Sequence, residues 1–333
     1  MNRYYNPVRT LEGPGSLSSL PEILNGMEPD SRRILLLVWS EEVLKNPAFS
    51  FLLDQKSGFQ TLPFSFQASN PTVEQLFETY EATKEFAPAV VIAVGGGSIM
   101  DVGKSLCCLY GHSLSNVDAL RELIVTKAYG TPAARWIGIP TTAGTGSETT
   151  CWATIWDPSQ DAKRSVECHE NYAWAAVVDS DLTKGMPLKL AVSSGLDAAA
   201  HGVESYWAKG TNCVSRAMAL SAIRMIMENM EGLLAGKETA REAMARGSMM
   251  AGLAFSNTKT TACHSISYPL TMHYSIPHGA AVSMLLAPLL KRNLPATKGS
   301  EALLNALGVS DVDELTRKIR RILKESGQPS TLK

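Results

Sequence analysis

"VVIAVGGGSIMDVGKS" (residues 90–105) joins an apolar run to three consecutive glycines and the start of a helical pattern. Glycines directly before a helix leave backbone N–H groups free at its positive end and let a phosphate approach closely. Ser98 and Asp101, three residues apart, predict a capping box for this helix. A tight strand-to-helix turn that binds nothing uses similar residues, but three consecutive glycines favour the phosphate-binding interpretation.

Two well-known phosphate loops do not fit this stretch. A GxGxxG fingerprint needs glycine at position 100, where the chain has Met100. A P-loop needs four residues between its first glycine and Gly-Lys-Ser, whereas five separate Gly97 from Gly103. A P-loop kinase or ATPase is therefore disfavoured.

The residues around the glycine loop predict a parallel sheet. Unalternating apolar runs at 34–39, 89–94 and 136–140 are separated by helical patterns at 73–86 and 99–111. Such strands are typical of a parallel sheet that is covered on both faces. A second loop, "PTTAGTGSE" (140–148), follows the third strand. It is expected to face the same crevice as the glycine loop, at the carboxyl ends of the strands.

The second half of the chain has a different pattern. A hairpin is predicted at 152–156 and 163–167 and a last strand at 175–179, and nearly everything after residue 183 has helical period. We therefore predict a Rossmann-like α/β dinucleotide-binding domain over residues 1–182 and an all-helical domain over residues 183–333. The predicted helices are 188–207, 214–235, 238–255, 261–271, 279–292, 301–307 and 311–326.

Composition excludes several classes of partner. The 333 residues include 31 Lys and Arg and 32 Asp and Glu, a net charge of −1. This balance argues against nucleic acid, and no apolar run is long enough to span a bilayer. The amino-terminal stretch lacks an apolar signal segment, and the six cysteines form no CxxC motif. We expect a cytoplasmic protein with reduced thiols that acts on a small molecule.

A second motif lies in the helical half. Asp197 and His201 are four residues apart, so they share one face of a helix. They form either a hydrogen-bonded pair or two ligands of one metal ion. His264 and His278 come within reach if the second half is one bundle. One carboxylate and three imidazoles are a suitable set for Zn²⁺ or Fe²⁺.

Four motifs, taken in order, carry a resemblance to a known family. "GGGSIMDVGK" (95–104), "TTAGTGSE" (141–148), "GLDAAAHGVESY" (195–206) and "PHGAAVSMLL" (277–286) resemble those of the iron-containing (group III) alcohol dehydrogenases. The resemblance implies an α/β dinucleotide-binding domain followed by a helical metal-binding domain, a fold shared with dehydroquinate synthase. It also implies a homodimer or higher homo-oligomer that uses one divalent metal and NAD(H) or NADP(H) and works as an aldehyde reductase.

The resemblance also implies roles for individual residues. The metal ligands are Asp197, His201, His264 and His278; the pyrophosphate loop is Gly95, Gly96, Gly97, Ser98 and Asp101; the second cofactor loop holds Thr141, Thr142 and Thr145.

Three positions depart from the family pattern. Many members have a second histidine four residues after the third metal ligand, where this chain has Tyr268. The proton route is therefore open among Tyr268, His273, water and the cofactor ribose.

At the second position, Ser40 replaces an aspartate that binds the adenosine ribose, and Glu41 follows it. This predicts NAD(H) use with tolerance of NADP(H). The chain also stops at "SGQPSTLK" (326–333), which predicts a shortened helical domain.

The hairpin bears on the substrate. Trp152 and Trp156 share a strand face, and Lys163 and Arg164 follow on the second strand. In one interpretation the tryptophans pack in the core and the two basic residues lie in a solvated turn. In the other, the four residues form the wall of a pocket that selects a small anionic aldehyde, and Lys259 adds positive charge to that pocket. The stretch resembles that of members that reduce phosphonoacetaldehyde or sulfoacetaldehyde.

Two rival functions remain open. One is a dehydroquinate-synthase-like, NAD-dependent lyase, against which Asp197 and the "PHG" motif argue. The other is a non-catalytic nucleotide-binding protein on the same scaffold, against which the intact ligand set argues.

Overall fold

The computed structural model describes residues 3–28 and 31–331, and these form two compact units. The described residues of 7–141 and 147–179 make up the α/β unit. The described residues of 1–6, 142–146 and 180–333 make up the helical unit. The domain limits predicted from the sequence, 1–182 and 183–333, stay a prediction.

The strands of the described α/β unit are β1 (Arg9–Glu12), β2 (Arg33–Val38), β3 (Gln60–Ser65), β4 (Val90–Gly95), β5 (Arg135–Pro140), β6 (Trp152–Asp157), β7 (Ala162–Glu167) and β8 (Ala175–Val178). Six of them form a central parallel sheet in the order β1-β8-β5-β4-β2-β3. The other two, β6 and β7, form a separate antiparallel hairpin. The predicted parallel sheet is thereby confirmed.

The degree of burial of each strand explains why some strands were predicted from the sequence and others were not. Every residue of β4 is buried, as are residues 34–38 of β2, so both strands read as continuous apolar runs. The edge strands β1 and β3 are only partly buried, and β3 contains Pro63, which an edge strand tolerates. Neither edge strand was predicted, because their sequences lack an apolar run.

Helices α1 to α5 belong to the α/β unit: α1 (Leu20–Met27), α2 (Ser50–Leu53), α3 (Val73–Thr83), α4 (Gly97–Leu109) and α5 (Val117–Thr126). A capping box starts α3, where Thr72 and Gln75 exchange hydrogen bonds. The capping box predicted for Ser98 and Asp101 is wrong. Helix α4 begins after Gly96 without any side-chain cap.

Asp101 and Ser98 have other partners. The Asp101 carboxylate accepts hydrogen bonds from Ser147 Oγ (2.9 Å) and Thr154 N (3.0 Å), and Ser98 Oγ accepts one from Asn70 N (3.1 Å). Both side chains thus hold neighbouring loops instead of the helix start.

Seven further helices form the described helical unit: α6 (Leu188–Trp207), α7 (Cys213–Leu234), α8 (Glu238–Phe255), α9 (Ala262–Tyr274), α10 (His278–Asn293), α11 (Ser300–Leu307) and α12 (Val312–Glu325). Each was predicted to within a few residues. Helix α6 is buried along nearly its whole length and packs against α7, α8 and α10. Among the described residues, no helix has the length and apolarity needed to cross a membrane.

Candidate functional site

Helix α6 carries three buried polar side chains on one face: Asp197, His201 and Glu204. Their spacing of four and then three residues places them one above the other along the helix. His264, on α9, joins them. The ligand atoms of Asp197, His201 and His264 all lie within 4.8 Å of one another.

His201 is held in one orientation by its surroundings. Its Nδ1 lies 3.3 Å from the carbonyl oxygen of Gly144, and because a carbonyl only accepts, Nδ1 carries the proton and Nε2 keeps its lone pair. The imidazole is stacked between the rings of Phe255 and His264, each with its centroid 4.3 Å away. The segment that supplies Gly144 approaches α8 closely: Gly146 has φ +56°, and a Cβ there would lie 2.5 Å from the Cα of Gly252.

Glu204 is the functional residue that sequence reasoning missed. Its carboxylate accepts a short hydrogen bond from His264 Nδ1 and further bonds from Thr261 Oγ1 (2.5 Å) and Cys263 N (2.7 Å). These bonds fix both the ring of His264 and the first turn of α9. The signal was present in the sequence, because position 204 follows Asp197 by seven residues on the same helix face.

His278 approaches the same cluster from the start of α10. Its Nε2 lies 3.9 Å from Asp197 Oδ1, and its ring is 5.6 Å from that of His264. The next residue, Gly279, makes this approach feasible, because a Cβ there would lie 2.2 Å from the carbonyl oxygen of Ser193 on α6. Tyr268 stacks on His278, with an interplanar angle of 3° and centroids 5.8 Å apart.

The two central imidazoles differ in their electrostatics. Burial lowers the pKa of His201 to about 4 despite the charge of Asp197. Burial also disfavours the charged form of His264, but the nearby carboxylates of Asp197 and Glu204 outweigh it and raise the pKa of His264 to about 9. The pKa of Asp197 is lowered: burial opposes this shift, and the charge of His201 and the nearby imidazole of His264 more than compensate. The cluster therefore attracts positive charge.

The donor set fits a divalent cation. Asp197 Oδ1 and His264 Nε2 are buried 3.3 Å apart, and neither atom makes a hydrogen bond in the described structure. Buried polar atoms of this kind are costly unless they bind something. Two imidazoles and a carboxylate with an adjacent third imidazole suit Fe²⁺ or Zn²⁺.

The glycine loop lies at the carboxyl edge of the sheet. Gly95 ends β4, and a Cβ there would lie 2.4 Å from the Ile99 side chain. The position must therefore be glycine for Ile99 of α4 to pack against the end of the strand. Gly97 and Ser98 then open α4, with their N–H groups at the positive end of a 13-residue helix. Thr141 N donates to Gly95 O (3.0 Å), which brings the beginning of the second loop beside the first. Thr142 and Thr145 belong to the helical unit.

Ser40 lies one strand away from this loop. Its hydroxyl accepts a hydrogen bond from Glu42 N (3.2 Å) and so caps the short 3-10 helix Glu41–Lys45. The Glu41 and Glu42 side chains are exposed next to it, and Glu42 pairs with Lys45.

Four of the residues predicted to contact substrate lie on the β6–β7 hairpin, where Trp156 is opposite Lys163. Trp156 is buried in the hairpin core and Trp152 is partly buried. Arg164 pairs with the buried Asp157 (3.1 Å). Burial lowers the pKa of Lys163 to about 8, and the charge of Asp101 opposes that shift, which places Lys163 near the glycine-loop helix.

Two further residues of the predicted site lie in the helical unit. Lys259 is exposed, and its φ of +60° is uncommon for a residue with a side chain. His273 is exposed in the last turn of α9.

A glycine loop at the carboxyl edge of a parallel sheet and a buried cluster of imidazoles and carboxylates fit a metal-dependent oxidoreductase that uses a dinucleotide. Two family models match the chain: iron-containing alcohol dehydrogenase over residues 7–180, and the C-terminal part of the Fe-containing alcohol dehydrogenase family over residues 191–333. The chain therefore belongs to the iron-containing alcohol dehydrogenase family, which confirms the resemblance drawn from its motifs.

Similar proteins include several dehydrogenases and reductases. The NADPH-dependent butanol dehydrogenase of Clostridium saccharobutylicum is 31% identical over 79% of this chain and 70% of its own length. The bifunctional aldehyde-alcohol dehydrogenase AdhE of Escherichia coli is 30% identical over 83% of this chain, which spans 32% of that protein. The sulfoacetaldehyde reductase of Bifidobacterium kashiwanohense, solved in complex with NAD⁺, superposes with a TM-score of 0.87 at 27% identity, covering 100% of this chain and 88% of that one.

Replacing Glu204 by glutamine should weaken metal binding. Glu204→Gln removes the negative charge that orients His264 and makes it a stronger ligand, and loss of such a partner typically costs about 10- to 100-fold in metal affinity. Competition for Zn²⁺ with a chromophoric chelator measures the change.

Glu231→Gln is the matched control. Glu231 is on α7 of the same unit and pairs with Arg321 at the surface, so its variant should bind Zn²⁺ like the parent protein. Equal Zn²⁺ affinity for the parent protein and Glu204→Gln would contradict the orienting role of Glu204.

Proposed function

We propose that this chain reduces a small aldehyde to an alcohol with a nicotinamide cofactor and one divalent metal. The observation that carries the proposal is the buried convergence of Asp197, His201 and His264 in a member of this family. A bound Fe²⁺ or Zn²⁺ supplies a Lewis acid for the carbonyl oxygen, and the nicotinamide supplies the hydride. His278, at the edge of the cluster, is the fourth ligand in this proposal.

The protein's own residues contribute binding, orientation and a proton. Gly144 and Glu204 orient the two central imidazoles. Gly97 and Ser98 present backbone N–H groups to the cofactor pyrophosphate. Burial of the cluster keeps water from competing for its donor atoms. A homo-oligomeric state and a cytoplasmic location stay predictions from the family and the composition.

The cofactor that the α/β unit favours is NAD(H). Tolerance of NADP(H) was predicted because serine does not repel a 2′-phosphate. The Ser40 hydroxyl, however, is engaged in capping, and the exposed carboxylates of Glu41 and Glu42 follow it directly. Glu42 pairs with Lys45, but the negative charge of Glu41 at this position disfavours a further phosphate.

The lyase alternative has less support. The family models cover both halves of the chain, and the relatives named above are dehydrogenases and reductases. A non-catalytic nucleotide-binding protein has no use for buried donor atoms that make no hydrogen bond, which the cluster retains.

Removal of the metal should abolish turnover and leave cofactor binding intact. His278→Ala and chelator-treated parent protein should lose NADH-dependent reduction of short aldehydes, measured by absorbance. NADH binding, measured by fluorescence, should persist because the glycine loop belongs to the other unit. Full activity in a preparation shown by elemental analysis to be metal-free would refute the proposed function.

Tyr268 is the proton donor in this proposal. Its ring stacks on His278, whereas His273 is exposed at the end of α9. Tyr268→Phe keeps the stacking ring but removes the phenolic O–H, so kcat should fall by about 100-fold or more while metal affinity is unchanged. Steady-state kinetics and chelator competition measure the two quantities. A loss of kcat in His273→Ala, with Tyr268→Phe unaffected, would move the proton route to His273.

The substrate class in this proposal is a short aldehyde with an anionic head. Lys259 is the predicted cation that shares a unit with the metal cluster, and its left-handed backbone is the kind of strained feature found at ligand sites. Arg164 contributes less, because Asp157 already neutralises it. The likeness to a sulfoacetaldehyde reductase supports the same class.

An aldehyde panel tests the substrate class. Sulfoacetaldehyde or phosphonoacetaldehyde should exceed butyraldehyde in kcat/KM, and Lys259→Met should reduce the advantage by about tenfold, the usual size of one lost charge-assisted hydrogen bond. The exposed Lys209→Met serves as control. Equal kcat/KM for butyraldehyde and the anionic aldehydes would exclude an anion-selective pocket.

A further inference from the structure

Trp39 is an unusual residue for its position. It directly follows β2, in which residues 34–38 are fully buried, yet 49% of Trp39 is exposed. An indole is among the largest apolar groups that a chain can present to water, so a placement of this kind calls for an explanation.

The backbone fixes where Trp39 lies. Its N–H donates to Val94 O (3.2 Å), and Val94 is the residue before Gly95. Because β2 and β4 are hydrogen-bonded neighbours, their axes are about 4.8 Å apart. Trp39 therefore lies at the carboxyl edge of the sheet, one strand away from the loop that receives the pyrophosphate.

The residues that follow leave the indole accessible. Ser40 is extended, with φ −156° and ψ 147°, and its hydroxyl caps the Glu41–Lys45 helix. Beyond β3, on the other side of β2, the chain returns toward the glycine loop, where Asn70 N donates to Ser98 Oγ. Trp39 thus lies between the glycine loop, which follows the neighbouring strand β4, and the polar residues that follow Trp39 itself in the chain.

We propose that Trp39 binds the adenine of the dinucleotide by stacking, as a positioning residue for the cofactor. The inference rests on the proposed function and deepens it. In doubly wound sheets the strand beside the glycine loop contacts the adenosine half of the cofactor. In this chain an acid is replaced there by Ser40, whose hydroxyl is engaged by Glu42 N. The flat indole next to it supplies an attraction to adenine that needs no hydrogen bond, since a nucleobase stacks on an aromatic face.

Two probes separate stacking from phosphate binding. ADP-ribose contains the adenine, whereas inorganic pyrophosphate contains only the group held by the glycine loop. Trp39→Ala should raise the Kd of ADP-ribose about tenfold or more by isothermal titration calorimetry. The Kd of inorganic pyrophosphate should not change. Trp39→Phe keeps an aromatic face and should restore most of the affinity for ADP-ribose.

Val125→Ala is the matched control. Val125 is 59% exposed on α5 of the same unit, so its truncation should leave both Kd values unchanged. The unfolding temperature of Trp39→Ala should fall only slightly, because half of the side chain is already in water.

Three results would overturn the inference, and they are distinguishable. An unchanged Kd for ADP-ribose in Trp39→Ala, in a parent protein that reduces aldehydes with NADH, would reject the stacking role and leave the proposed function standing. A change in oligomeric state on size-exclusion chromatography with an unchanged Kd would assign Trp39 to an interface between copies. Failure of the parent protein to bind either NADH or ADP-ribose would reject the proposed function and the inference together.

Discussion

Burial of two carboxylates on one helix is the constraint on which the helical unit depends. Asp197 and Glu204 are nearly inaccessible to water, and isolated buried carboxylates are strongly unfavourable. The chain compensates each one differently. Glu204 receives hydrogen bonds from Thr261, Cys263 and His264. Asp197 is surrounded by imidazoles, but its Oδ1 accepts no hydrogen bond. That oxygen is where a cation contributes most.

That constraint shapes the elements around α6. Helix α9 begins at the bonds that Glu204 accepts, and the close approach at Gly279 brings the start of α10 against the backbone of α6. The carbonyl of Gly144 orients His201 from a segment far away in sequence. Two of these segments are thus held to α6 by hydrogen bonds, and the third packs closely against its backbone. Binding of a cation would tie them further, because ligation in the folded state adds to stability.

The sequence predicted most of this arrangement, and the failures have physical causes. Long helices such as α6 and α8 were found because their apolar period is sustained over many residues. The edge strands β1 and β3 were missed because strands at an edge need not be apolar. The spacing of Asp197 and His201 identified one helix face, but Glu204 was missed because glutamate is usually exposed. Its burial depends on Thr261 and His264, which no local pattern connects to position 204.

The predicted capping box at Ser98 and Asp101 was wrong for a different reason. Ser98 and Asp101 have the right spacing, but the proposed pyrophosphate site needs the first N–H groups of α4 free, and a capping side chain would occupy them. The chain turns the Asp101 carboxylate away, toward Ser147 and Thr154. The fully buried Lys104, 3.7 Å from Asp101, donates to Ser147, Thr150 and Trp152 O and supplies the opposing charge.

This arrangement keeps the start of α4 suited to an anion. Burial raises the pKa of Asp101 and lowers that of Lys104, and each charge opposes the shift of the other. Because the ammonium offsets the carboxylate, the free N–H groups at the start of α4 still provide a site of positive potential. The α/β unit therefore offsets a partly buried carboxylate within the protein, whereas the helical unit has a buried carboxylate available for a cation. The difference matches the ligands that the two sites are proposed to bind, an anionic pyrophosphate and a divalent metal.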